Sequence, residues 1–385
     1  MLHQPPLHGY RVLDLAHLLP GELATMWLGD LGADVIKIEA PERHQGGLSM
    51  PRTRENPYRA ALNRNKRSIA LDLKTDAGRD IFYRLVETAD VLVEGFRPGV
   101  MARLGADYAT LRQRNPRLVY CSISGYGQTG PYRERPGHDN NYLALAGLLL
   151  QARPPNGAPH LLPVQLADVG GGAWPAVATI LAALLARKRT GEGQHLDVSM
   201  LDGALAWAYF WLPLSKLPLL EEMGVGTGML TGKAPCYNVY ATADERFLAL
   251  GALEPKFWRA FCETVERPDW LPRAFDPTLR DEIAALFATR PLDAWLNLFD
   301  PQNVPITPLL DMEEVQNDPH IQARESIYTD DNGFPHPRFP VRLSATPAGE
   351  PTPPPNVGEQ TDAILRDIGL SDLDIARLRD EGVVA

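Results

Sequence analysis

Short apolar runs rich in β-branched residues alternate with amphipathic segments over the first third of the chain. Apolar runs of roughly four to eight residues are typical of strands that are buried on both faces of a parallel sheet. The predicted strands are Arg11–Leu15, Ala33–Glu39, Ser68–Leu73, Asp90–Phe96 and Arg117–Ser124.

The segment Thr75–Ala89, between the third and fourth of these strands, has the spacing of an amphipathic helix. Apolar residues between positions 81 and 86 fall on one face, and Thr75 or Asp76 is suited to cap the first turn. Strands that alternate with helices predict parallel pairing through crossover connections. We therefore expect an α/β fold with a doubly wound parallel sheet.

The pattern changes in the second half of the chain. Ala173–Arg189 is predicted to be a long buried helix, and its basic last turn suits the negative end of the helix dipole. His195–Ser199 is predicted to be another strand, and a second unit is expected over about Gly224–Asp330. That unit should contain a strand pair, at Tyr237–Ala241 and Phe247–Leu250. The chain should close with an extended Pro-rich linker and one or two charged helices, at Ala345–Pro355 and Asp362–Glu381.

The composition is that of a globular protein: of 385 residues, 44% are hydrophobic and 22% are charged. A chain of this length can bury a large core in two or three domains, and its hydrophobicity excludes wholesale disorder. The net charge of −10 argues against a nucleic-acid partner. The cysteines Cys121, Cys236 and Cys262 do not form the pattern of a disulfide framework or a zinc site, so a reducing, cytoplasmic setting is expected.

The sequence predicts neither a signal peptide nor a membrane span. The N-terminal MLHQPPLHGYR lacks the apolar core of a signal peptide. The most apolar stretches are shorter than the roughly 20 residues that a span needs, so they are expected to be buried helices. These stretches are Leu143–Leu150, Ala173–Ala186 and Ala204–Leu214.

A basic segment interrupts this acidic chain between Pro51 and Ser68. Its cations are opposed by Glu55 alone and are followed closely by Lys74; they are Arg52, Arg54, Arg59, Arg64, Lys66 and Arg67. Such groups can form charge-assisted hydrogen bonds with phosphate oxygens, so one interpretation is a polyphosphate ligand. A solvated charged face is the other interpretation.

The glycine motif Gly125–Gly130 matches G-x-G-x-x-G, but it lacks the context of a dinucleotide fingerprint. It follows the fifth predicted strand, and Pro131 and Pro136 stand where a helix would have to begin. The motif is either a loop that brings backbone close to a ligand or a plain surface turn.

Isolated ionisable residues beside glycines are the candidates for chemistry. His138 and Asp139 lie in PGHDNNY, Asp168 lies in LADVGGG before the long predicted helix, and Glu254 lies in GALEP. Asp168 is either an N-cap or a reactive carboxylate at a helix start, where backbone N–H groups can stabilise a developing anion. The residue types alone leave both interpretations open.

Stretches that run in order over nearly the whole chain resemble the family III CoA-transferases. They are WLGDLGADVIKIEAP (27–41), LNRNKRSIALDLK (62–74), DVLVEGFRPGVMARLG (90–105), GYGQTGPY (125–132), RKRTGEGQHLDVSMLDGAL (187–205), EVQNDPHIQAR (314–324) and PNVGEQTDAIL (355–365). Within the family, the chain is most similar to the α-methylacyl-CoA racemase branch. That similarity lies in PGHDNNYLALAG (136–147), LADVGGG (166–172) and GKAPCYNVYATADERFLALGALEPKF (232–257).

The resemblance implies roles for three residues. In the racemase pattern, His138 and Asp168 are the catalytic acid–base pair, and Glu254 pairs with the histidine. In typical transferases of the family, a tyrosine or another non-basic residue replaces the histidine, and the aspartate attacks the thioester as a nucleophile. The presence of both His138 and Asp168 therefore favours the racemase branch.

The implied reaction is the epimerisation of a 2-methylacyl-CoA thioester through an enolate. His138 and Asp168 would act on opposite faces of the α-carbon, and peptide N–H groups beside Asp168–Gly172 would bind the enolate oxygen. The alternative is a CoA-transferase in which Asp168 forms a mixed anhydride with the acyl group. A non-enzymatic acyl-CoA-binding protein would leave this set of ionisable residues unexplained. No cofactor beyond the CoA moiety of the substrate is implied.

The resemblance also implies CoA contacts, position by position. A basic residue that the family has after the second strand is replaced by Ala40, with Arg43 as a nearby substitute. The CoA phosphates would lie against the basic segment. The other implied contacts are Leu71, Asp72, Leu73, Lys74, Gly95, Arg103, Gly137, Asp139, Asn140, Asn141 and Tyr142.

The family fold implies an interlocked homodimer. A large Rossmann-like domain would comprise residues 1–200 and a returning C-terminal segment, 331–385, with a linker helix at 201–223 and a smaller α+β domain inserted at 224–330. The active site would lie between the large domain of one subunit and the small domain of the other. His138 and Asp168 would then face Glu254 of the partner subunit.

Overall fold

A computed structural model describes residues 4–41, 53–152, 157–216 and 228–385. Arg43 and Arg52, which the sequence analysis singled out, lie outside the described residues, as do positions 217–227 around the predicted linker. The chain divides into two compact units. The first comprises Met1–Ala146, Val164–Trp207 and Ala323–Ala385, and the second comprises Gly147–Pro163 and Ala208–Gln322.

A six-stranded parallel sheet forms the centre of the first unit. Its strands are β1 (Arg11–Leu15), β2 (Asp34–Glu39), β3 (Lys66–Ala70), β4 (Val91–Glu94), β5 (Val119–Ser124) and β6 (His195–Ser199). They lie in the order β3-β2-β1-β4-β5-β6, and every neighbouring pair is parallel. The predicted α/β fold with a doubly wound parallel sheet is confirmed, and the direction of the strand order reverses between β1 and β4.

Helices pack around this sheet. The predicted helix at 75–89 extends over Asp76–Glu87, where the Thr75 side chain accepts a hydrogen bond from the Gly78 N–H and the predicted apolar face is buried. The other helices of the unit are Leu19–Asp30, Pro57–Asn63, Val100–Arg103, Tyr108–Arg114, Asp139–Leu145, Leu166–Asp168, Trp174–Thr190, Met200–Ala206, Thr361–Asp367 and Asp372–Asp380. A small antiparallel pair also belongs to this unit, with β10 at Ile327–Thr329 and β11 at Pro335–Pro337.

The second unit contains a three-stranded antiparallel sheet, in the order β7 (Tyr237–Ala241), β8 (Phe247–Gly251) and β9 (Ile306–Pro308). The predicted strand pair is therefore confirmed, with a third strand added. Aromatic side chains such as Trp258, Phe261 and Trp295 fill its core. Its helices are Leu148–Gln151, Trp211–Leu214, Pro255–Thr264, Arg280–Phe287, Leu292–Phe299 and Met312–Asn317, and Pro319–Ala323 follows at its end.

Four cations of the basic segment are held in ion pairs within the fold, and phosphate binding by the segment stays a prediction. They form ion pairs with carboxylates of the first unit: Arg59 with Glu39, Arg64 with Asp30, Lys66 with Asp14 and Arg67 with Asp34. The first three pairs are buried, and Arg54 also pairs with a carboxylate, that of Glu359. Their partners lie on other segments of the chain, so these cations connect the region of β3 to the strands and helices packed beside it.

Arg59 is the clearest of these structural cations. Its Nη1 and Nη2 donate to the two carboxylate oxygens of Glu39 at 2.9 and 2.8 Å, and its Nε donates to the Pro355 carbonyl at 2.8 Å. Arg59→Leu is expected to lower the free energy of unfolding by roughly 3–5 kcal/mol, because the buried Glu39 carboxylate would lose the charge and the two hydrogen bonds of Arg59. Urea denaturation of the two proteins measures the loss.

A matched control is Arg112→Leu, since Arg112 forms an exposed ion pair with Glu192 at 3.3 Å. That variant is expected to lose less than about 1 kcal/mol, because exposed pairs contribute little. Equal losses for Arg59→Leu and Arg112→Leu would contradict the assignment of Arg59 to a buried structural pair.

The Pro-rich segment Ala345–Pro355 is extended, as predicted, but it is packed on the first unit and is no free linker. The Gly349 N–H donates to the Asp30 carbonyl at 2.8 Å, and the Thr352 N–H donates to the side chain of Asn65 at 2.6 Å. From the sequence alone, such a segment can be predicted only to form neither a helix nor a strand. Its partners on the first unit are set by the tertiary fold.

The apolar helix is longer than the sequence predicted. A π turn at Val169–Ala173 joins the turn at Leu166–Asp168 to Trp174–Thr190, so the helical run has 25 residues. By length and composition this helix could cross a membrane, so the expectation that every apolar stretch is too short for a span is wrong. In its most apolar window 44% is buried, and it packs against β5, β6 and the helix Leu19–Asp30, so it forms part of the core of the first unit.

Candidate active site at the carboxyl edge of the sheet

The carboxyl ends of β1 and β4 meet where the strand order reverses, which is where doubly wound sheets bind their ligands. A cavity of about 220 Å³ lies at this point. Segments that follow the strands supply much of its lining: Ala16 and Leu18 after β1, Gly95 to Pro98 after β4, and Ser124 and Gly125 at the end of β5. Among the described residues the buried Ser124 hydroxyl has no hydrogen-bond partner, so it is able to bind a ligand atom.

Three cationic side chains line the same cavity, those of Arg97, Arg133 and Arg135, together with the imidazole of His138. Arg133 also pairs with Glu134 at 2.9 Å, and the Arg135 guanidinium lies 3.7 Å from the centroid of the Tyr132 ring. This lining is suited to an anionic group such as a phosphate. None of the candidate residues named from the sequence is one of these three arginines. Their positions in loops that follow β4 and β5 were a usable signal, because doubly wound sheets bind ligands at the carboxyl ends of their strands.

The glycine motif after β5 forms a loop at the rim of this cavity. Gly125 lines the cavity, and a Cβ atom at that position would lie 2.5 Å from the Tyr142 hydroxyl. Gly127 has a φ of +82°, which disfavours any other residue there. Both glycines are therefore required by the shape of this loop, and contact of its backbone with a ligand stays a prediction.

His138 lies at the cavity, immediately before the helix Asp139–Leu145. Its side chain is exposed, and its backbone N–H donates to the Asn141 side chain at 3.0 Å. The buried Tyr142 donates its hydroxyl to the Gly137 carbonyl at 2.6 Å. Two hydrogen bonds therefore hold the backbone that carries the histidine, while its side chain is accessible to a ligand.

Asp168 lies in the first turn of the long apolar helix and is half-buried. Within the described part of the chain its carboxylate caps no backbone N–H, so the structure does not support the N-cap interpretation. Burial and, to a smaller degree, the negative charge of Asp139 raise the pKa of Asp168 to about 6, against the opposing effect of His138. A carboxyl group with such a pKa can both accept and donate a proton near neutral pH.

Asp139 connects the histidine segment to the helix of Asp168. Its Oδ1 accepts the N–H groups of Ala167 at 2.7 Å and of Asp168 at 3.0 Å. The Val169 N–H donates to the Gln165 carbonyl at 2.9 Å. The expectation that peptide N–H groups beside Asp168–Gly172 would bind an oxyanion is therefore wrong at Asp168 and Val169, whose N–H groups already have acceptors.

The other residues implied as CoA contacts divide into two groups. Gly95, Gly137 and Tyr142 line the cavity together with His138. The others lie outside its lining: Leu71 and Asp72 are buried, Leu73 is half-buried, Lys74, Arg103, Asn140 and Asn141 are exposed, and Asp139 is half-buried.

Glu254 belongs to the second unit. It is exposed and lies immediately before the helix Pro255–Thr264, and it provides no side-chain cap to that helix. Its carboxylate is therefore not committed to a structural role at the helix terminus.

Two residues after β6 bound the neighbourhood of Asp168. Met200 lines the cavity, and the Trp207 indole lies so close to Gly170 that a Cβ there would approach its Nε1 to 3.1 Å. Trp207 is 48% exposed, so it is not part of the buried core.

The described residues hold no group of three or more His, Cys, Asp or Glu side chains that could bind a metal ion. The three cysteines, Cys121, Cys236 and Cys262, are buried free thiols.

Comparisons with known proteins identify the family. A model of CoA-transferase family III matches residues 7–361. The chain is 37% identical to the alpha-methylacyl-CoA racemase of Mus musculus over 384 residues, covering 98% of this chain and 97% of that protein. It is 35% identical to the acetyl-CoA:oxalate CoA-transferase of Acetobacter aceti over 367 residues, covering 88% and 89% of the two proteins.

The fold has solved counterparts as well. The crystal structure of a CAIB/BAIF family protein from Brucella suis superposes with a TM-score of 0.81 at 30% identity, covering 95% of this chain and 100% of that one. The resemblance found in the sequence motifs is thereby confirmed. The chain is an acyl-CoA enzyme that belongs to CoA-transferase family III.

Proposed function

We propose that the protein is an α-methylacyl-CoA racemase. The observation that carries this proposal is the proximity of two proton-transfer groups of different kinds. His138 lines the cavity at the switch point of the sheet, and Asp168, which is outside that lining, lies close enough for the histidine to affect its pKa. Asp139 directly follows the histidine and binds the backbone N–H of Asp168. The similarity to the racemase of Mus musculus supports the same assignment.

The proposed reaction inverts the α-carbon of a 2-methylacyl-CoA thioester. One of the two groups, as a base, removes the α-proton, and the electron pair of the C–H bond delocalises into the thioester carbonyl as an enolate. The other group, as an acid, returns a proton to the opposite face. His138 suits either role near neutral pH, and the raised pKa of Asp168, about 6, brings the carboxyl group into the same range.

The remaining parts of the proposal concern binding. The cavity arginines Arg97, Arg133 and Arg135 would bind anionic groups of CoA, together with Lys74 and Arg103 from the family pattern. Glu254 of the partner subunit would hydrogen-bond the imidazole of His138 and orient it, as a third group orients the base in catalytic triads. This role requires the homodimer of the family fold, which size-exclusion chromatography with light scattering tests.

A CoA-transferase is the second candidate. It is favoured by the similarity to the oxalate CoA-transferase of Acetobacter aceti, which nearly equals the similarity to the racemase. In that reaction the Asp168 carboxylate attacks the thioester carbonyl, the C–S bond breaks, and CoA leaves as a thiolate while an acyl–aspartyl anhydride forms. A half-buried carboxylate that caps no backbone N–H also suits this role.

Incubation with a single enantiomer of a 2-methylacyl-CoA distinguishes the two candidates. Half of the sample receives a free carboxylic acid, and the recovered acyl groups are separated by chiral chromatography. A racemase loses optical purity in both halves. A transferase forms a new CoA thioester only where the acid is present and keeps the configuration, and that result would overturn the racemase proposal.

A further inference from the structure

We propose that Asp139 is a positioning residue that holds the first turn of the helix of Asp168 against the segment that carries His138. This inference rests on the proposed function, because it assigns a role within the same acid–base pair. It adds to the CoA contact that the family pattern implies at this position.

Asp139 acts as an N-cap from a distant segment. The first N–H groups of a helix have no acceptor within it, and Gln165, which precedes this helix, provides no side-chain cap. The Oδ1 atom of Asp139 instead accepts the N–H groups of Ala167 and Asp168, at 2.7 and 3.0 Å. An ionised acceptor makes these hydrogen bonds stronger than neutral ones. The backbone of the catalytic carboxylate is therefore held by a side chain that adjoins the catalytic histidine.

The segment that carries Asp139 is itself well anchored. His138 directly precedes the helix Asp139–Leu145, and its backbone N–H donates to the Asn141 side chain. The buried Tyr142 ties the same helix to the Gly137 carbonyl. Loss of the Asp139 carboxylate would therefore leave His138 in place and release the first turn of the other helix.

The charge of Asp139 has a separate effect on Asp168. Among the described residues, the titratable groups near Asp168 are Asp139, His138 and the hydroxyl groups of Tyr142 and Tyr58. Burial raises the pKa of both tyrosines, and the charge of Asp168 adds to that rise. After burial, Asp139 is the largest cause of the raised pKa of Asp168, and His138 opposes it. A neutral residue at position 139 is therefore expected to lower the pKa of Asp168.

Three variants separate the charge from the hydrogen bonds. Asp139→Asn keeps an oxygen acceptor and removes the charge. With the enantiomer whose α-proton Asp168 removes, the acidic limb of the pH–rate profile should therefore move to lower pH with a moderate loss of kcat. Asp139→Glu keeps the charge, so the limb should stay near its wild-type position while kcat falls. Asp139→Ala removes the cap, and kcat should fall on the order of 100-fold with a smaller change in KM. The control Asp80→Asn removes an exposed acid on the helix Asp76–Glu87 and should match the wild type.

A second readout does not depend on activity. Carbodiimide with an amine labels protonated carboxyl groups, and peptide mass spectrometry compares labelling of Asp168 with that of Asp80 as the pH rises. In Asp139→Asn, labelling of Asp168 should fall off at lower pH than in the wild type. An unchanged fall-off, or an acidic limb that stays in place, would overturn the proposal even if the enzyme is a racemase. If the wild type instead fails to racemise any acyl-CoA while labelling shifts as expected, the proposed function fails and the positioning role stands.

Discussion

Replacing Asp168 by asparagine is expected to lower kcat for racemisation on the order of 10³-fold, because a positioned acid–base group typically contributes factors of about 10² to 10⁴. Asparagine has nearly the same shape and can still occupy the first helical turn, but it can neither accept nor release the α-proton. The initial rate of optical inversion of one enantiomer measures the loss.

Asp168→Asn should fold like the wild type. Because its pKa is raised, the Asp168 charge is disfavoured in the folded state at pH values above about 6, so removing it does not destabilise the protein at pH 7.5. Asp80→Asn is the matched acid-to-amide control and should retain full activity. If Asp168→Asn kept more than about a tenth of the wild-type rate, a loss far below that expected of an acid–base residue, the assignment of Asp168 would be contradicted.

His138→Gln is the second variant with a large expected effect, and it discriminates between the two candidate functions. Racemisation should fall on the order of 10³-fold, since inversion needs a proton donor or acceptor on both faces of the α-carbon. Transfer of CoA through an Asp168 anhydride has no such need and should survive. Both rates are measured on the same preparation, with and without a carboxylic acid.

The isotope pattern in His138→Gln makes this test sharper. Asp168 remains on one face, so exchange of the α-proton with solvent should be reduced less than inversion, and the ratio of exchange to inversion should rise. Loss of both racemisation and transfer to the same extent would contradict distinct roles for His138 and Asp168. An unchanged inversion rate would remove His138 from the mechanism.

The pattern of apolar residues predicted most of the sheet. β1 and β6 have the predicted bounds, Arg11–Leu15 and His195–Ser199. β3 lies at Lys66–Ala70 rather than at the predicted Ser68–Leu73, and its first two residues, Lys66 and Arg67, pair with carboxylates of β1 and β2. A local sequence pattern assigns such cations to the surface, since their counter-charges come from distant parts of the chain.

The candidate site was only partly accessible from the sequence. His138 and Asp168 were selected because they are isolated ionisable residues beside glycines within family motifs. The bond between Asp139 and the helix of Asp168 joins residues 29 positions apart, so no local pattern predicts it. The three cavity arginines are spread over two loops, so they form no cluster in the sequence. The cluster that the sequence does show includes Arg59, Arg64 and Lys66, which form buried ion pairs within the fold.

Deuterium uptake is the most direct test of the central claim that this chain transfers protons at the α-carbon of an acyl-CoA. One enantiomer of a 2-methylacyl-CoA is incubated in deuterium oxide without any free carboxylic acid, and the product is followed by mass spectrometry and chiral analysis. The predicted result is incorporation of one deuterium at the α-carbon together with loss of optical purity, and in Asp168→Asn the loss of optical purity slows on the order of 10³-fold. Two results together would contradict the claim. No exchange would be seen with branched, sterol-like or arylpropionyl acyl-CoA substrates, and hydroxylamine would trap an acyl adduct of Asp168 when free acids are added.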